Sequence, residues 1–292
     1  MIAGNRHWLL ATVVLLAVAI HGCAKVESEG DATQADSHDV VVETNVFEGV
    51  PERPAYEDDG SGAIVPASYS QYADDPFAAT LHALKPLQVL IGEWKGVTVR
   101  AIGGAKAVES PRWNWDFLSD GLRPALVVTS RSSPYLKQGR LTYLTDRRRY
   151  QLKVTSANGS ERLFEGAWVE PPQDASSAAG VSPPTFKLKL NEMGKTTRTG
   201  DVFILNVQGN DHYVLEVHRQ SGVYLENLDA VDMVRRGPSV GNDPAMAAQH
   251  ACPVSGGTGT IAVDYNGSTY HLCCEGCKEA FLANPKKWIA AK

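Results

Sequence analysis

Residues 87–96, LQVLIGEWKG, decide the fold of the central part of this chain, because the spacing of apolar residues changes there. Before this stretch, apolar residues recur at helical spacing from Phe77 onward, after the aspartates of the cap-like Asp74-Asp75-Pro76. After Gly92, apolar and polar residues alternate, as they do in a strand with one buried face. The stretch therefore predicts a short helix over residues 76–91 that leads into a first β-strand.

Ten segments of strand character follow, divided by turn signals such as Asn158-Gly159. Short strands at this spacing, joined by hairpin-type connections, predict an antiparallel barrel or sandwich. The predicted strands cover residues 93–100, 112–117, 125–130, 139–144, 150–155, 162–169, 185–190, 202–208, 212–218 and 231–235. We therefore expect a mainly β fold, with an antiparallel barrel over residues 76–237.

The Gly92-Glu93-Trp94 sequence after a helix resembles the start of lipocalin-like (calycin) barrels, in which the tryptophan plugs one end of the barrel. The resemblance implies a calycin-like barrel, which either encloses one small ligand or fills with its own side chains. Aromatic residues at strand spacing are more often core than pocket lining. No catalytic triad order, phosphate loop or carboxylate pair stands out in residues 76–237, so we predict no enzymatic active site there.

The C-terminal residues 250–292 contain four of the chain's five cysteines: Cys252, Cys273, Cys274 and Cys277. Residues 252–257 predict a tight turn of the knuckle type, and Asn266-Gly267 predicts a hairpin. Residues 275–282 predict a helix. Knuckle, hairpin and helix together predict a small treble-clef-like module, in which cysteines from the turn and the helix start meet. A core of this size usually needs an additional cross-link, such as a disulfide or a bound metal ion.

This module resembles the TRASH/YHS family of small metal-binding domains. The resemblance is carried by YNGSTY at residues 265–270, by the Cys273-x-x-x-Cys277 spacing, by Phe281 four residues later and by NPKKW at residues 284–288. It implies one zinc or copper ion held by cysteine thiolates, for metal sensing, delivery or fold stability, and it implies a possible partner protein in metal delivery.

Ser255 departs from the family pattern, because many relatives have Cys-x-x-Cys in the first turn. The predicted ligands are the module's cysteines, and two histidines are alternatives for the fourth position: Cys252, Cys273, Cys274 and Cys277, then His250 and His271. Three sulfur ligands would suit Cu(I), whereas four ligands would suit Zn(II). Two alternatives stay open, namely two structural disulfides and redox chemistry through Cys274 and Cys277.

The N-terminus predicts export and anchoring. Residues 1–22 combine a basic start, an apolar run and the small residue Gly22, as in a secretory signal peptide. The following Cys23 resembles the cysteine of a bacterial lipobox, which implies cleavage before it and lipidation of its sulfur. Ala24 would favour sorting to the outer membrane. We therefore expect an anchored protein in the cell envelope that faces the periplasm or the cell exterior.

Charge separates an acidic segment from the folded part. Residues 26–75 contain thirteen acidic side chains and one basic one, Arg53. Such a composition buries too little apolar surface to order itself, so we expect residues 23–75 to form a disordered tether. Residues 238–249 form a Gly- and Pro-containing linker. The net charge of −5 and the lack of a single basic patch do not indicate nucleic-acid binding. If the cysteines only stabilise the module, through a disulfide or a structural metal, the alternative function is a barrel that carries a small hydrophobic ligand.

Overall fold

The computed structural model of the chain describes residues 56–67, 72, 74–156, 158–172, 184–195, 199–237 and 250–289. Every described residue lies within one compact unit, residues 46–292. The predicted signal peptide, the lipidated Cys23, most of the predicted tether and the linker over residues 238–249 lie outside the described residues.

The described residues form fifteen strands, three α-helices and one 3-10 helix. The first part contains β1 (Tyr56–Asp58), β2 (Ile64–Pro66), α1 (Pro76–Leu84), the 3-10 helix (Lys85–Leu90), β3 (Gly92–Ile102), β4 (Ala105–Glu109), β5 (Arg112–Asp116), β6 (Ala125–Thr129), β7 (Gln138–Leu144) and β8 (Arg149–Thr155). Then come β9 (Glu161–Glu170), β10 (Thr185–Glu192), β11 (Thr199–Gln208), β12 (His212–Ser221), β13 (Tyr224–Arg236), β14 (Ile261–Tyr265), β15 (Ser268–Leu272), α2 (Glu275–Ala283) and α3 (Pro285–Ile289).

Ten strands close into an antiparallel barrel in the order β3-β5-β6-β7-β8-β9-β10-β11-β12-β13, and β13 returns to β3. The closing pair runs in register from Val231 opposite Thr98 to Arg236 opposite Glu93. The ten strands of the barrel are the ten that the alternation of apolar residues predicts. The prediction of a mainly β fold with an antiparallel barrel is therefore confirmed.

Two features differ from the expectations. The short strand β4 pairs only with β3 and was not predicted, since five residues of the sequence AKAVE carry little strand signal. Strands β1 and β2 pair with each other inside the segment expected to be a disordered tether, and Ile64 of β2 pairs with Trp168 of β9. The tether prediction is therefore wrong for residues 56–67, because contacts with the barrel order a segment whose own composition would not.

The helix predicted over residues 76–91 is α1 followed by the 3-10 helix. The Asp75 carboxylate accepts a hydrogen bond from the Ala78 amide at 2.9 Å, as an N-cap does. Pro86 follows directly after the last turn of α1, and its ring is incompatible with an uninterrupted α-helix at that point. The chain enters β3 from there, so the expected change of period occurs where the sequence places it.

The barrel interior is filled by aromatic rings in contact with one another. Phe164 stacks on Phe203 with centroids 4.5 Å apart, and Trp168 lies 5.1 Å from Phe186 and 5.0 Å from Tyr150. All five rings are at most 2% exposed. This packing favours a core role for these rings over the lining of a ligand pocket.

Trp94 and Arg235 close one end of the barrel. The Trp94 indole donates to the Leu90 carbonyl at 2.7 Å, and the Arg235 guanidinium lies over its ring, 4.2 Å from the centroid. Arg235 also donates to the carbonyls of Ile91, at 2.7 Å, and Val89, so it ties the 3-10 helix to β13. Burial lowers the pKa of Arg235 to about 10. None of the helices in the described part of the chain is long and apolar enough to cross a membrane.

Candidate metal centre

The C-terminal module has the predicted order of knuckle, hairpin and helix. In the knuckle, the Cys252 amide donates to the Gly257 carbonyl at 2.7 Å, and the Gly256 amide donates to the Cys252 carbonyl at 2.8 Å. Asn266 and Gly267 both have positive φ angles and join β14 to β15, as the Asn-Gly signal predicts. Helix α2 begins immediately after Cys274. The cysteines therefore come from the turn, the end of the hairpin and the first turn of a helix.

Three of these cysteines form a triad. The sulfur atoms of Cys252, Cys273 and Cys277 all lie within 4.8 Å of one another, and the three residues are at most 4% exposed. The Cys273 and Cys277 sulfurs are 3.3 Å apart. Zn–S bonds of about 2.3 Å in a tetrahedral site place neighbouring sulfurs about 3.8 Å apart, so small shifts would adapt the triad to a metal ion. The donor set fits a thiophilic ion.

Cys274 lies beside the triad and contacts the barrel. Its sulfur accepts a hydrogen bond from the Trp115 amide of β5 at 3.5 Å, and it also hydrogen-bonds with Cys273 and Cys277. It is not within 4.8 Å of all three triad sulfurs, so its role as the fourth ligand stays a prediction. All four cysteines are free thiols in the structure.

Ser255 lies in the knuckle, three residues after Cys252. Its hydroxyl lies 3.2 Å from the Cys273 sulfur and accepts a hydrogen bond from the Gly257 amide at 3.3 Å. Because the amide uses the oxygen as an acceptor, the hydroxyl hydrogen remains free to be donated to sulfur. Ser255 therefore contacts the triad from the knuckle, but it offers an oxygen donor instead of a sulfur donor.

The hydrogen bonds of the cluster divide its thiols into two kinds. Burial acts to raise the pKa of Cys252, but hydrogen bonds from Cys273, Cys277 and Ser255 outweigh it and hold this pKa well below its ordinary value. Hydrogen bonds from Cys273 and Cys277 lower the pKa of Cys274 to about 4.

The pKa values of the other two cysteines shift upward. Hydrogen bonding with Cys252 and Cys274 raises the pKa of Cys273, and burial raises the pKa of Cys277. The shared hydrogen bonds and burial therefore favour ionisation at Cys252 and Cys274 over ionisation at Cys273 and Cys277. A positive ion would take the place of the shared protons, which is the usual coupling between metal binding and proton release.

The two histidines that the sequence offers as ligands lie together, outside the cysteine triad. The rings of His250 and His271 are 4.0 Å apart between centroids, and both residues are partly exposed. Of the predicted ligands, Cys252, Cys273 and Cys277 thus lie together, and Cys274 lies beside them. The two alternative ligands, His250 and His271, contact each other instead of the triad.

The barrel contributes contacts to the centre that no sequence motif indicates. A Cβ atom on Gly276 would lie 1.7 Å from the Trp115 carbonyl oxygen, so only glycine allows α2 to approach β5 this closely. Gln88 of the 3-10 helix is buried, and its side-chain oxygen would lie 3.1 Å from a Cβ atom on Gly257. These contacts join positions that are far apart in the sequence, so local patterns do not reveal them.

Fold and site together define a class of protein, namely a β-barrel that carries a buried cysteine cluster in a small C-terminal module. The model of the YHS domain family matches residues 252–292, which contain all four cysteines of the cluster. No curated protein matches the chain. The similarity therefore concerns the module, and within it the three close cysteines could hold a metal ion.

Proposed function

We propose that the protein binds one zinc or copper ion through the thiolates of Cys252, Cys273 and Cys277, with Cys274 joining them as the fourth ligand. The observation that carries this proposal is the buried triad, with its three sulfurs within 4.8 Å of one another. Soft sulfur donors select zinc and Cu(I) over hard cations such as magnesium. The match of the YHS domain model to residues 252–292 supports the same function.

The role we propose is binding without catalysis, for metal handling or for stabilisation of the module. The protein would be anchored in the cell envelope through a lipidated Cys23, with the outer membrane favoured, and would face the periplasm or the exterior. There it could exchange its ion with a partner protein. The N-terminal sequence supports this location. Mass spectrometry of the mature N-terminus tests it, and an unmodified Met1 or Cys23 would contradict it.

The metal content of the full chain, purified under anaerobic and reducing conditions, tests the binding proposal. We expect about one zinc or copper ion per chain in the native protein and about 0.2 or fewer in Cys252→Ser, because the loss of one of three thiolates opens the site. Ser268→Ala is the control, since it alters an exposed side chain of the same module and should keep the ion.

The open disulfide alternative predicts a different result. In that case the protein would contain little metal, and mass analysis would find the four C-terminal thiols oxidised in pairs. That combination, in protein prepared without oxygen, would overturn the metal proposal. The carrier alternative receives no support from the barrel interior, where aromatic rings contact one another.

A further inference from the structure

His250 and His271 form a pair of imidazoles at the surface of the module. Their ring centroids are 4.0 Å apart and their planes are inclined by 35°. His250 lies just before the knuckle, and His271 lies on β15 opposite Ala262. Both are partly exposed, whereas the four cysteines are at most 5% exposed. The pair therefore reaches solvent where the cysteines do not.

Gly259 brings the two histidines together. Its amide donates to the His250 carbonyl at 2.6 Å, and a Cβ atom at this position would lie 2.5 Å from the Cβ atom of His271. Real Cβ atoms do not approach this closely, so the backbone at Gly259 can lie against His271 only because the residue is glycine. The contact between the rings is therefore a consequence of the backbone path.

Neither imidazole has another polar partner in the part of the chain that the structure describes. No hydrogen bond or ion pair joins the His250 or His271 ring to any described residue. The barrel histidines differ, because His212 contacts Asp232 and His218 lies 3.0 Å from Glu216. The paired rings thus present ring nitrogens that are uncommitted among the described residues.

The pair is directly connected to the cysteine triad. His250 precedes Cys252 by two residues, and His271 precedes Cys273 by two residues. The same two backbone segments therefore carry the partly exposed imidazoles and two of the buried sulfurs. Imidazole nitrogen is a good ligand for zinc and copper, and thiolate sulfur is a softer ligand for Cu(I). The arrangement suits capture at the surface followed by transfer inward.

We propose that His250 and His271 form a capture site, which binds an incoming zinc or copper ion and passes it to the sulfurs of Cys252 and Cys273. The inference rests on the proposed function of the cysteines. During transfer, the imidazoles release the ion while the thiolates of the triad bind it and its thiol protons leave to solvent. The histidines therefore control the rate of loading, while the cysteines determine how many ions are held.

The rate of metal loading tests this inference. The reduced full chain is mixed with Cu(I) ions in a stopped-flow instrument, and the absorbance of copper–thiolate bonds is followed. We expect the double variant His250→Asn/His271→Asn to load about tenfold more slowly or worse, since ligands around a site typically change metal binding by that factor, and yet to reach the same final stoichiometry. His212→Asn, which alters a barrel histidine, is the matched control.

The outcomes separate this inference from the proposed function. If the double variant loads as fast as His212→Asn, the capture site is wrong, although the cysteines still bind metal. If the double variant loses the bound ion at equilibrium, the histidines are final ligands and the transfer step is wrong. If the native chain binds no ion, the proposed function fails first. Should the double variant not fold, as judged by circular dichroism, the two single variants each provide the same comparison.

Discussion

Ser255 is the residue that most directly sets the donor set of the metal centre. Its hydroxyl lies in the knuckle, 3.2 Å from the Cys273 sulfur. A sulfur at this position would lie close to the triad without movement of the backbone. The identity of this side chain therefore decides whether the knuckle offers one sulfur or two to the site.

We expect Ser255→Cys to increase the affinity for zinc by about tenfold or more, because a second knuckle sulfur would take the place of the less closely placed Cys274 in the tetrahedral set that zinc prefers. Competition with a chromophoric chelator measures zinc and Cu(I) affinities side by side. Ser255→Ala is the control, since it removes the hydroxyl and adds no ligand. Equal zinc affinities for Ser255→Cys and the native chain would show that this position does not reach the ion.

Glu109 is a second residue with an unusual environment, on β4, which pairs with β3 of the barrel. It is 1% exposed, and its Oε1 atom has no hydrogen-bond partner among the described residues. Burial and the nearby Asp229 carboxylate raise its pKa from 4.5 to about 7, although a hydrogen bond from Ser133 acts in the opposite direction. The folded protein therefore keeps a proton that the unfolded chain releases at a lower pH.

This difference in proton binding makes stability fall as the pH rises. Between about pH 4.5 and 7, folded Glu109 is protonated while unfolded Glu109 is ionised, so the favourable contribution present below pH 4.5 is lost across this window. Between pH 5 and pH 8.5, we expect the free energy of unfolding of the native chain to fall by about 2 kcal/mol more than that of Glu109→Gln. Urea unfolding at both pH values measures this, with the exposed Glu226→Gln as control. Parallel pH profiles for all three proteins would refute the assignment.

Helix α2 is the element that couples the metal module to the barrel. Cys274 precedes its first turn and Cys277 lies within that turn, while Gly276 contacts the Trp115 backbone of β5. At the other end of the interface, Trp288 of α3 lies 5.8 Å from Phe117 and 6.2 Å from Phe77. The helix start is thus held by the barrel on one side and supplies ligands on the other.

We expect Gly276→Ala to destabilise this docking by about 1–3 kcal/mol, the usual cost of an overpacked contact. The added methyl group would lie 1.7 Å from the Trp115 carbonyl oxygen, so α2 must move away from β5. Alanine favours the helix itself, which means that the loss reports on docking and not on helix formation.

Hydrogen exchange of the amides in α2 measures this effect, together with urea unfolding followed by tryptophan fluorescence. Gly121→Ala is the control, because a Cβ atom there meets nothing within 4 Å. Equal exchange rates and unfolding free energies for the two variants would contradict a close contact between α2 and β5.

At the scale of the whole molecule, the barrel serves as a rigid platform for a small module. A core of about forty residues is marginal on its own, and here it gains support from barrel residues as well as from any bound ion. Gln88 of the 3-10 helix lies against the knuckle, and Trp115 of β5 lies against the helix start, so both of these sulfur-bearing parts of the module are held from outside it. This arrangement favours a preformed cysteine cluster.

The sequence by itself determined the ten barrel strands and the Asn-Gly hairpin, and it placed Cys252, Cys273, Cys274 and Cys277 in one module, because alternation, turn residues and cysteine spacing are local properties. Local composition failed at residues 56–67, where β1 and β2 are ordered by pairing with β9. Only the tertiary structure decided that Cys274 contacts the Trp115 amide, that His250 meets His271 and that Gly276 must be glycine. These features depend on how distant segments pack against one another, and no local pattern in the chain encodes such contacts.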